Sequence, residues 1–476
     1  MKVTKTKIVA TLGPASTPAP ILEQLILQGV NICRINFSHG SYDDVVSSIK
    51  LVRELNQKLG THVAILADLQ GPKIRIGEVE NNAVFLEVGA KVTITTDKCM
   101  GTAERLYLTY PGFPNDVAIG DQVLVDDGKI LLKVLETNKL NEVVAEVVYG
   151  GKLSSKKGVN LPNTRISLPC LTEKDLNDLQ VALANHVEWI GLSFVRNASD
   201  IMDLKSIIHK SGIKARVIAK IEKPEAILEI DNIIELADGI MVARGDLGVE
   251  LPLERVPMIQ KMLVEKCINA SKPVIIATQM MESMITNFTP TRAEVNDVAN
   301  AVLDGADAVM LSAETSVGAF PVQAIQIMKR IISEVESHAN IYYREHAPVL
   351  KTQTFVSDSI CFNACLVAKQ SGARALVSMT NSGYTAFKLS SHRPLAPVYI
   401  FTDNDTLLTS LSLVWGVQGF YYDKYESTDQ TIADINQFLV AKGLLTQDDL
   451  VINIASIPMR ERGRTNMLKL SYIKDK

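Results

Sequence analysis

Two short stretches bring opposite charges to the ends of apolar runs. In RVIAKIEKPEAI (216–227), Lys220 and Glu222 follow Val217-Ile218-Ala219, and in GIMVARGDLG (239–248), Arg244 and Asp246 follow an unbroken apolar run. A buried parallel strand reads as continuous Val/Ile, so charges belong where such a strand emerges. Glu222 and Asp246 are a donor set for Mg²⁺, which takes oxygen ligands and keeps places for water and substrate oxygens; Mn²⁺ fits the same set. Alternation puts Lys220 on the same side of its strand as Glu222. An ammonium there would stabilise charge growing on a phosphoryl group or an enolate oxygen. Gly245-Asp246-Leu247-Gly248 can open a helical turn whose unpaired N–H groups suit a carboxylate or phosphate. Thr278, ending KPVIIATQM, adds a hydroxyl. The alternative is a pair of strand-end salt bridges, and the choice depends on whether both runs open onto one mouth.

Further polar groups sit at similar positions. Arg34, Asn36 and Ser38 alternate in RINFSHG, and Asn36, Ser38 and Asp68 would make a hard-oxygen site for a monovalent cation. His39, taken alone, reads as a structural histidine. Lys73, Arg75 and Lys157 flank a change in sequence texture near residues 72 and 168, where a mobile domain could carry them onto polyphosphate.

That change follows from the order of elements along the chain. KIVATLG, NICRINFS and VAILADLQ are strands separated by helices, one closed by Gly29 and the next running from Tyr42 to Leu59 with Gly60 as its stop. From Pro72 to Leu168 short alternating strands take over, with Asp127-Gly128 and Gly150-Gly151 as turn pairs. The strand–helix alternation then resumes with a Thr172-capped helix and the strands VEWIGLSFV, RVIAKIE, GIMVARGD, KPVIIATQM and DAVMLSAET. This predicts an α/β fold: a (β/α)8 TIM barrel over 1–71 and 169–346, an inserted all-β lid domain over 72–168, and a C-terminal α/β domain over 347–476. In such barrels chemistry gathers at the C-terminal strand ends. Here those ends carry Thr11, Arg34 with Asn36, Asp68, Ser193, Lys220 with Glu222, Asp246, Thr278, and Ser312 with Glu314. Unrelated salt bridges would not select one mouth.

Composition sets the outer bounds. The chain has 476 residues, 47% hydrophobic and 21% charged, as expected for an ordinary globular protein of about three domains. A formal net charge of −4 gives no global case for nucleic acid or an anionic membrane. No apolar run approaches a membrane span, and no secretory leader is evident. The six cysteines are scattered without a C-x-x-C pair, which points to a reduced, cytoplasmic protein.

Taken together, TKIVATLGPAS (6–16), RINFSHG (34–40), DLQGPKIR (68–75), KKGVNLP (156–162), AKIEKPEA (219–226), MVARGDLGVE (241–250), ATQMMESM (277–284), PTRAEVNDVANAV (290–302) and LSAETSVG (311–318) resemble the pyruvate kinases, in that family's order. The C-terminal domain matches in outline and in its TNSGYT loop. The resemblance implies a catalytic barrel, a β-lid and a regulatory domain, in a homotetramer. It implies Mg²⁺-dependent phosphoryl transfer from phosphoenolpyruvate to ADP, giving pyruvate and ATP. By the same carry-over Lys220 stabilises the transferring phosphoryl, Glu222 and Asp246 hold Mg²⁺, and Gly245, Asp246 and Thr278 contact the substrate carboxylate. Arg34 touches the transferring phosphate. Thr11, Arg34, Asn36, His39, Arg75 and Lys157 fall on the nucleotide side. The proton donor to the enolate stays open; a water relayed through Thr278, Ser312 or Glu314 is one route.

Two departures carry expectations. K⁺-requiring members have threonine and glutamate where this chain has Leu69 and Lys73, so the Lys73 ammonium is expected to replace K⁺, although Asn36, Ser38 and Asp68 remain. The loop Thr380, Asn381, Ser382, Gly383, Tyr384 and Thr385 lies between a strand and a helix, where the family binds phosphorylated activators; a sugar phosphate or nucleoside monophosphate is expected. A different enzyme class, the Mg²⁺-dependent barrel lyases and aldolases acting on a pyruvate enolate, shares the carboxylates but needs no nucleotide-facing lid.

Overall fold

The computed structural model describes residues 4–38, 40–162, 164–338, 341–350, 352–424, 427–457 and 464–474. The strands Lys7–Thr11, Ile32–Asn36, Ala64–Asp68, Trp189–Leu192, Arg216–Ile221, Gly239–Ala243, Val274–Ala277 and Ala308–Leu311 form a closed parallel barrel. The first strand closes it, pairing Thr11 with Arg34 on one side and Ala10 with Leu311 on the other. Helix ends between the strands follow local chemistry. Ser41, Thr172, Asn197 and Thr291 each open a helix with a reciprocal capping box, and Gly29 and Gly60 end theirs in the left-handed region.

Strand alternation sorts the barrel into two cores. Ile8, Ala10, Cys33, Ile35, Ile65, Ile190, Val217, Ala219 and their neighbours pack outward against the helices. Val9, Ile32, Leu66, Trp189, Ile218, Met241, Ile275 and Met310 fill the interior. Five of these interior series turn polar one pleat higher: Val9 leads to Thr11, Ile32 to Arg34 and Asn36, Leu66 to Asp68, Ile218 to Lys220 and Glu222, Met310 to Ser312. The mouth is therefore charged because the period of two carries the inward face past the end of the apolar core.

The inserted segment forms a six-stranded sheet and a two-stranded one around its own core of Val92, Ile94, Val123, Leu132, Val143 and neighbours. Asp127-Gly128 makes the expected tight turn, with Asp126, Asp127 and Gly128 all at positive φ. Gly150-Gly151 does not make a hairpin. The chain instead crosses to the smaller sheet, where Gly151–Ser154 pairs antiparallel with Ala83–Leu86. Glycine is required there because a Cβ on Gly150 would lie 2.1 Å from the Leu86 carbonyl oxygen. A close backbone approach and a turn leave the same mark in a sequence.

The C-terminal sheet runs Val417–Tyr421, Val398–Thr402, Ala375–Met379, Leu450–Ala455 and Met467–Tyr472, the last antiparallel. This domain seals the barrel floor. Leu413 and Phe387 join the interior cluster, Trp189 Nε1 donates to Ser410 O at 3.3 Å, and Arg216 lies over the Phe387 ring at 4.8 Å. Beside them Arg393 is buried and pairs with Asp307 at 2.8 Å, while Asp307 also accepts from the Val274 and Trp415 amides. Asp307→Ala leaves Arg393 buried without its counter-charge, a loss of about 3 kcal/mol or more. The expected readout is a lowered urea midpoint in the fluorescence of Trp189 and Trp415.

Candidate active site

At the mouth Lys220 is the central charge. Its Nζ lies 2.9 Å from Glu222 Oε1 and 3.2 Å from Asp68 Oδ1, and donates to Ser193 Oγ at 2.7 Å. Ser193 Oγ donates its own hydrogen bond to Leu69 O at 2.7 Å, so its lone pairs face the ammonium. Burial alone would lower the Lys220 pKa, but Asp68 and Glu222, with Asp246 behind them, outweigh it and hold the ammonium above its ordinary range. The Glu222 pKa is raised as well, which for a carboxyl disfavours the charged form. Its burial and the Asp246 charge raise its pKa against the pull of Lys220, even though Phe194 N donates to Oε2 at 2.6 Å. A buried carboxylate repelled by a second carboxylate gains from any cation placed between them. Asp246 lines the adjoining cleft with Pro72, Lys73, Asn160, Phe194 and Lys223. This donor set fits a hard divalent ion held on the cleft side.

Asp246 is placed by the helix Arg244–Glu250, which begins directly after the sixth barrel strand. Gly245 N donates to Thr278 Oγ1 at 2.8 Å, joining the helix start to the end of the seventh strand. Thr278 and Gln279 have φ of 67° and 55°, costly for a β-branched residue. Arg244 holds this bend: its guanidinium donates to Thr278 O at 2.8 Å and to Asp297 Oδ1 at 2.7 Å. Arg244, one of the charges at the strand ends, thus works as a brace away from the mouth. Glu314 braces the neighbouring loop, accepting from Met281 N at 3.1 Å and Ser312 N at 2.7 Å. Burial raises its pKa.

Arg34 reaches Asp68 through Nε at 2.7 Å and Nη2 at 2.5 Å, and its Nη1 donates to Thr11 Oγ1 at 3.1 Å. Asp68 therefore serves two cationic side chains. Asn36 Oδ1 is taken by Ser38 N at 3.0 Å. Asn36, Ser38 and Asp68 are near one another in the chain path, but Asp68 turns to Arg34 and Lys220. Thr11 and Asn36 line a second cleft with Gly13, Pro14 and Gly40. His39 lies outside the described residues. On the lid, Arg75 Nη1 donates to Lys156 O at 3.0 Å and Lys157 pairs with Asp126 at 2.8 Å, so the polar contacts of both stay within the lid. Lys73 is exposed on the wall of the Asp246 cleft rather than in the Asn36 cleft.

With this geometry in view, the chain matches family models described as pyruvate kinase, barrel domain, over residues 3–325 and pyruvate kinase, alpha/beta domain, over residues 358–471. The chain belongs to the pyruvate kinase family. Among its relatives, the pyruvate kinase of Corynebacterium efficiens is 44% identical over 98% of both chains. That of Geobacillus stearothermophilus is 42% identical over 99% of this chain and 81% of its own. A solved pyruvate kinase from Cryptosporidium parvum superposes with a TM-score of 0.91 at 33% identity, covering 99% of this chain and 96% of the other. Barrel, inserted β-domain and C-terminal α/β domain are the pyruvate kinase fold.

One contact at the site has no signal in the sequence. Lys223 and Glu250 form a buried pair at 2.6 Å beside Glu222. Only the proximity of KIEK to GVE across two strands in space makes them partners. In the C-terminal domain, Gly383 N donates to Thr380 Oγ1 at 3.0 Å and Tyr384 N to Ser382 Oγ at 3.3 Å, while Thr385 Oγ1 meets Thr465 Oγ1 at 2.8 Å. Asn381 is exposed at the turn.

The buried charge network has a pH signature. Burial would raise the Asp68 pKa, but Lys220 and Arg34 overcome it and hold the carboxyl below its ordinary 3.8. Its contribution to stability is full above that value and disappears as pH falls through the lower folded-state value. The gap in melting temperature between the parent and Asp68→Asn is expected to be constant from about pH 5 to 7 and to narrow below about pH 4. Thermal scans across that range measure it.

Proposed function

We propose that this chain catalyses Mg²⁺-dependent phosphoryl transfer from phosphoenolpyruvate to ADP, with Glu222 and Asp246 holding the metal and Lys220 beside the moving phosphoryl. The observation that carries this reading is the Lys220 side chain packed between the Asp68 and Glu222 carboxylates, beside the cleft that Asp246 lines. A bound divalent ion would neutralise the substrate's phosphate and enolate oxygens. Lys220 presents a fixed positive charge, and Arg34 adds a second; neither has to reorganise as charge shifts during transfer. Gly245 and Asp246, at a helix start, and the Thr278 hydroxyl orient the carboxylate end of the substrate. Thr11, Asn36, His39, Arg75 and Lys157 are assigned to the nucleotide. Arg75 and Lys157 are held by contacts inside the lid, so it is the lid as a unit that presents them to the nucleotide. The enolate left by transfer takes a proton on its methylene carbon, and the Thr278–Ser312–Glu314 side of the mouth is the region assigned to that step.

Pyruvate should form from phosphoenolpyruvate only with ADP and a divalent ion present, and Lys220→Met should lower kcat about a hundredfold or more while also lowering the melting temperature, because Asp68 and Glu222 lose their shared counter-charge. ADP-independent pyruvate formation would sink this reading in favour of a lyase or aldolase. A coupled lactate dehydrogenase assay reads both.

K⁺ independence is part of the same proposal and is supported by Leu69 and Lys73. Activity in tetramethylammonium buffer should rise less than about twofold on adding KCl, whereas Lys73→Glu should become K⁺-dependent. The Thr380–Thr385 loop is assigned to a phosphorylated activator. A panel of sugar phosphates and nucleoside monophosphates should include at least one that shifts the phosphoenolpyruvate saturation curve leftward. A homotetramer is expected, to be read by light scattering. No helix among the described residues is long and apolar enough to cross a membrane.

A further inference from the structure

One buried carboxylate outside the groups assigned above joins the lid to the catalytic loops. Glu250 ends the helix Arg244–Glu250 and is 4% exposed. An acid at a helix C-terminus faces the negative end of the peptide dipoles, so its placement there depends on tertiary partners. Its Oε1 accepts from Lys223 Nζ at 2.6 Å and from Asn160 Nδ2, on the lid, at 2.8 Å. Its Oε2 is buried with no hydrogen-bond partner among the described residues, so the barrel offers no substitute donor. Lys223 directly follows Glu222, and Glu250 closes the helix in which Asp246 sits. Asn160 belongs to the short lid strand Val159–Asn160, paired with Leu124 and Val125, and the next residue, Asp126, holds Lys157. A single oxygen thus ties the lid strand nearest Lys157 to both segments that carry the metal carboxylates.

We infer that Glu250 is a positioning residue, and that its hydrogen bond from Asn160 is the pin that holds the lid in register over the mouth. The inference rests on reading this cleft as the phosphoryl-transfer site with a nucleotide-facing lid, and deepens it. The pin keeps Arg75 and Lys157 within a fixed swing of Glu222 and Asp246, so the nucleotide meets an ordered lid. Without it the lid samples more orientations, and apparent nucleotide affinity falls by the fraction of time the lid is competent.

The test uses the full-length enzyme and steady-state kinetics with ADP and phosphoenolpyruvate varied separately. Asn160→Ala should raise the ADP concentration for half-saturation about tenfold, the lower end of the effect of one lost hydrogen bond to a carboxylate, while kcat and the phosphoenolpyruvate half-saturation stay within about twofold. Asn160→Asp should be worse, because it sets two carboxylates against each other. Combining Asn160→Asp with Glu250→Gln reverses donor and acceptor at unchanged net charge, and should return the ADP half-saturation to within about twofold of the parent. Amide exchange over residues 158–162 should quicken in Asn160→Ala without substrate and return in the double variant. An unchanged ADP half-saturation in Asn160→Ala would overturn the inference, as would equal effects on both substrates or a double variant no better than Asn160→Asp. Should the parent itself show no ADP-dependent turnover, the functional reading fails rather than the pin alone; the exchange data still decide the pin.

Discussion

A lysine ammonium cannot sit inside a barrel unless counter-charges come with it, and the mouth of this barrel is built around that requirement. Lys220 is enclosed by Asp68 from the third strand, Glu222 from its own strand and Ser193 from just beyond the fourth. Asp68 is shared with Arg34 on the second strand, and Arg34 with Thr11 on the first. Removing one member would leave another buried charge exposed to a low-dielectric surround, so the members stand or fall together. Rigidity follows from the same network. Groups already held by strong, mutually satisfied contacts do not need to move when a phosphate with several negative charges arrives. In the proposed function, the two cations are set for the substrate by the neutralisation they need in its absence.

Much of this geometry was legible in the chain because a strand has a period of two. Apolar residues mark the inward face, and the first polar residue on that face after the apolar run must lie at the mouth. That reasoning located Thr11, Arg34, Asp68 and Lys220 from separate stretches of sequence. It served less well where a side chain leaves the strand direction. Arg244 follows an apolar run as Lys220 does, yet it turns aside to hold the strained Thr278–Gln279 bend, because the helix starts at that residue. Asp68 offered oxygens that suited a monovalent cation, but the cations it meets are arginine and lysine from neighbouring strands. Gly150 shows the limit for turns, and the Lys223–Glu250 pair shows it for contacts: both depend on what comes near in space, which local spacing does not encode.

The barrel's two ends are occupied differently by the same physical pattern. The interior series that reaches Lys220 and Glu222 at the top starts from Arg216 at the bottom, where the guanidinium stacks on Phe387 and donates to Ser382 O at 3.4 Å. Ser382 lies in the hydroxyl-rich loop of the C-terminal domain. A single strand therefore has one end among the charges of the mouth and the other against the domain proposed to be regulatory. Between them lie Ile218 and its interior neighbours, packed with no exposed surface.

The antiparallel meeting of the lid's two ends has a consequence for how the molecule is made. Ile74 O accepts from Val159 N at 3.0 Å, and Arg75 bridges to Gly158. The third and fourth barrel strands must pair across the whole inserted segment, and in an unfolded chain that is a long loop to close. Loop entropy grows only slowly, by about 0.6 kcal/mol per doubling of length, yet barrel closure has many such contacts to form at once. A lid that collapsed on its own core first would bring residues 74 and 159 together before the barrel closed. The insertion would then behave, for the rest of the chain, as a short connection, and an apparent interruption of the barrel would become an aid to its assembly.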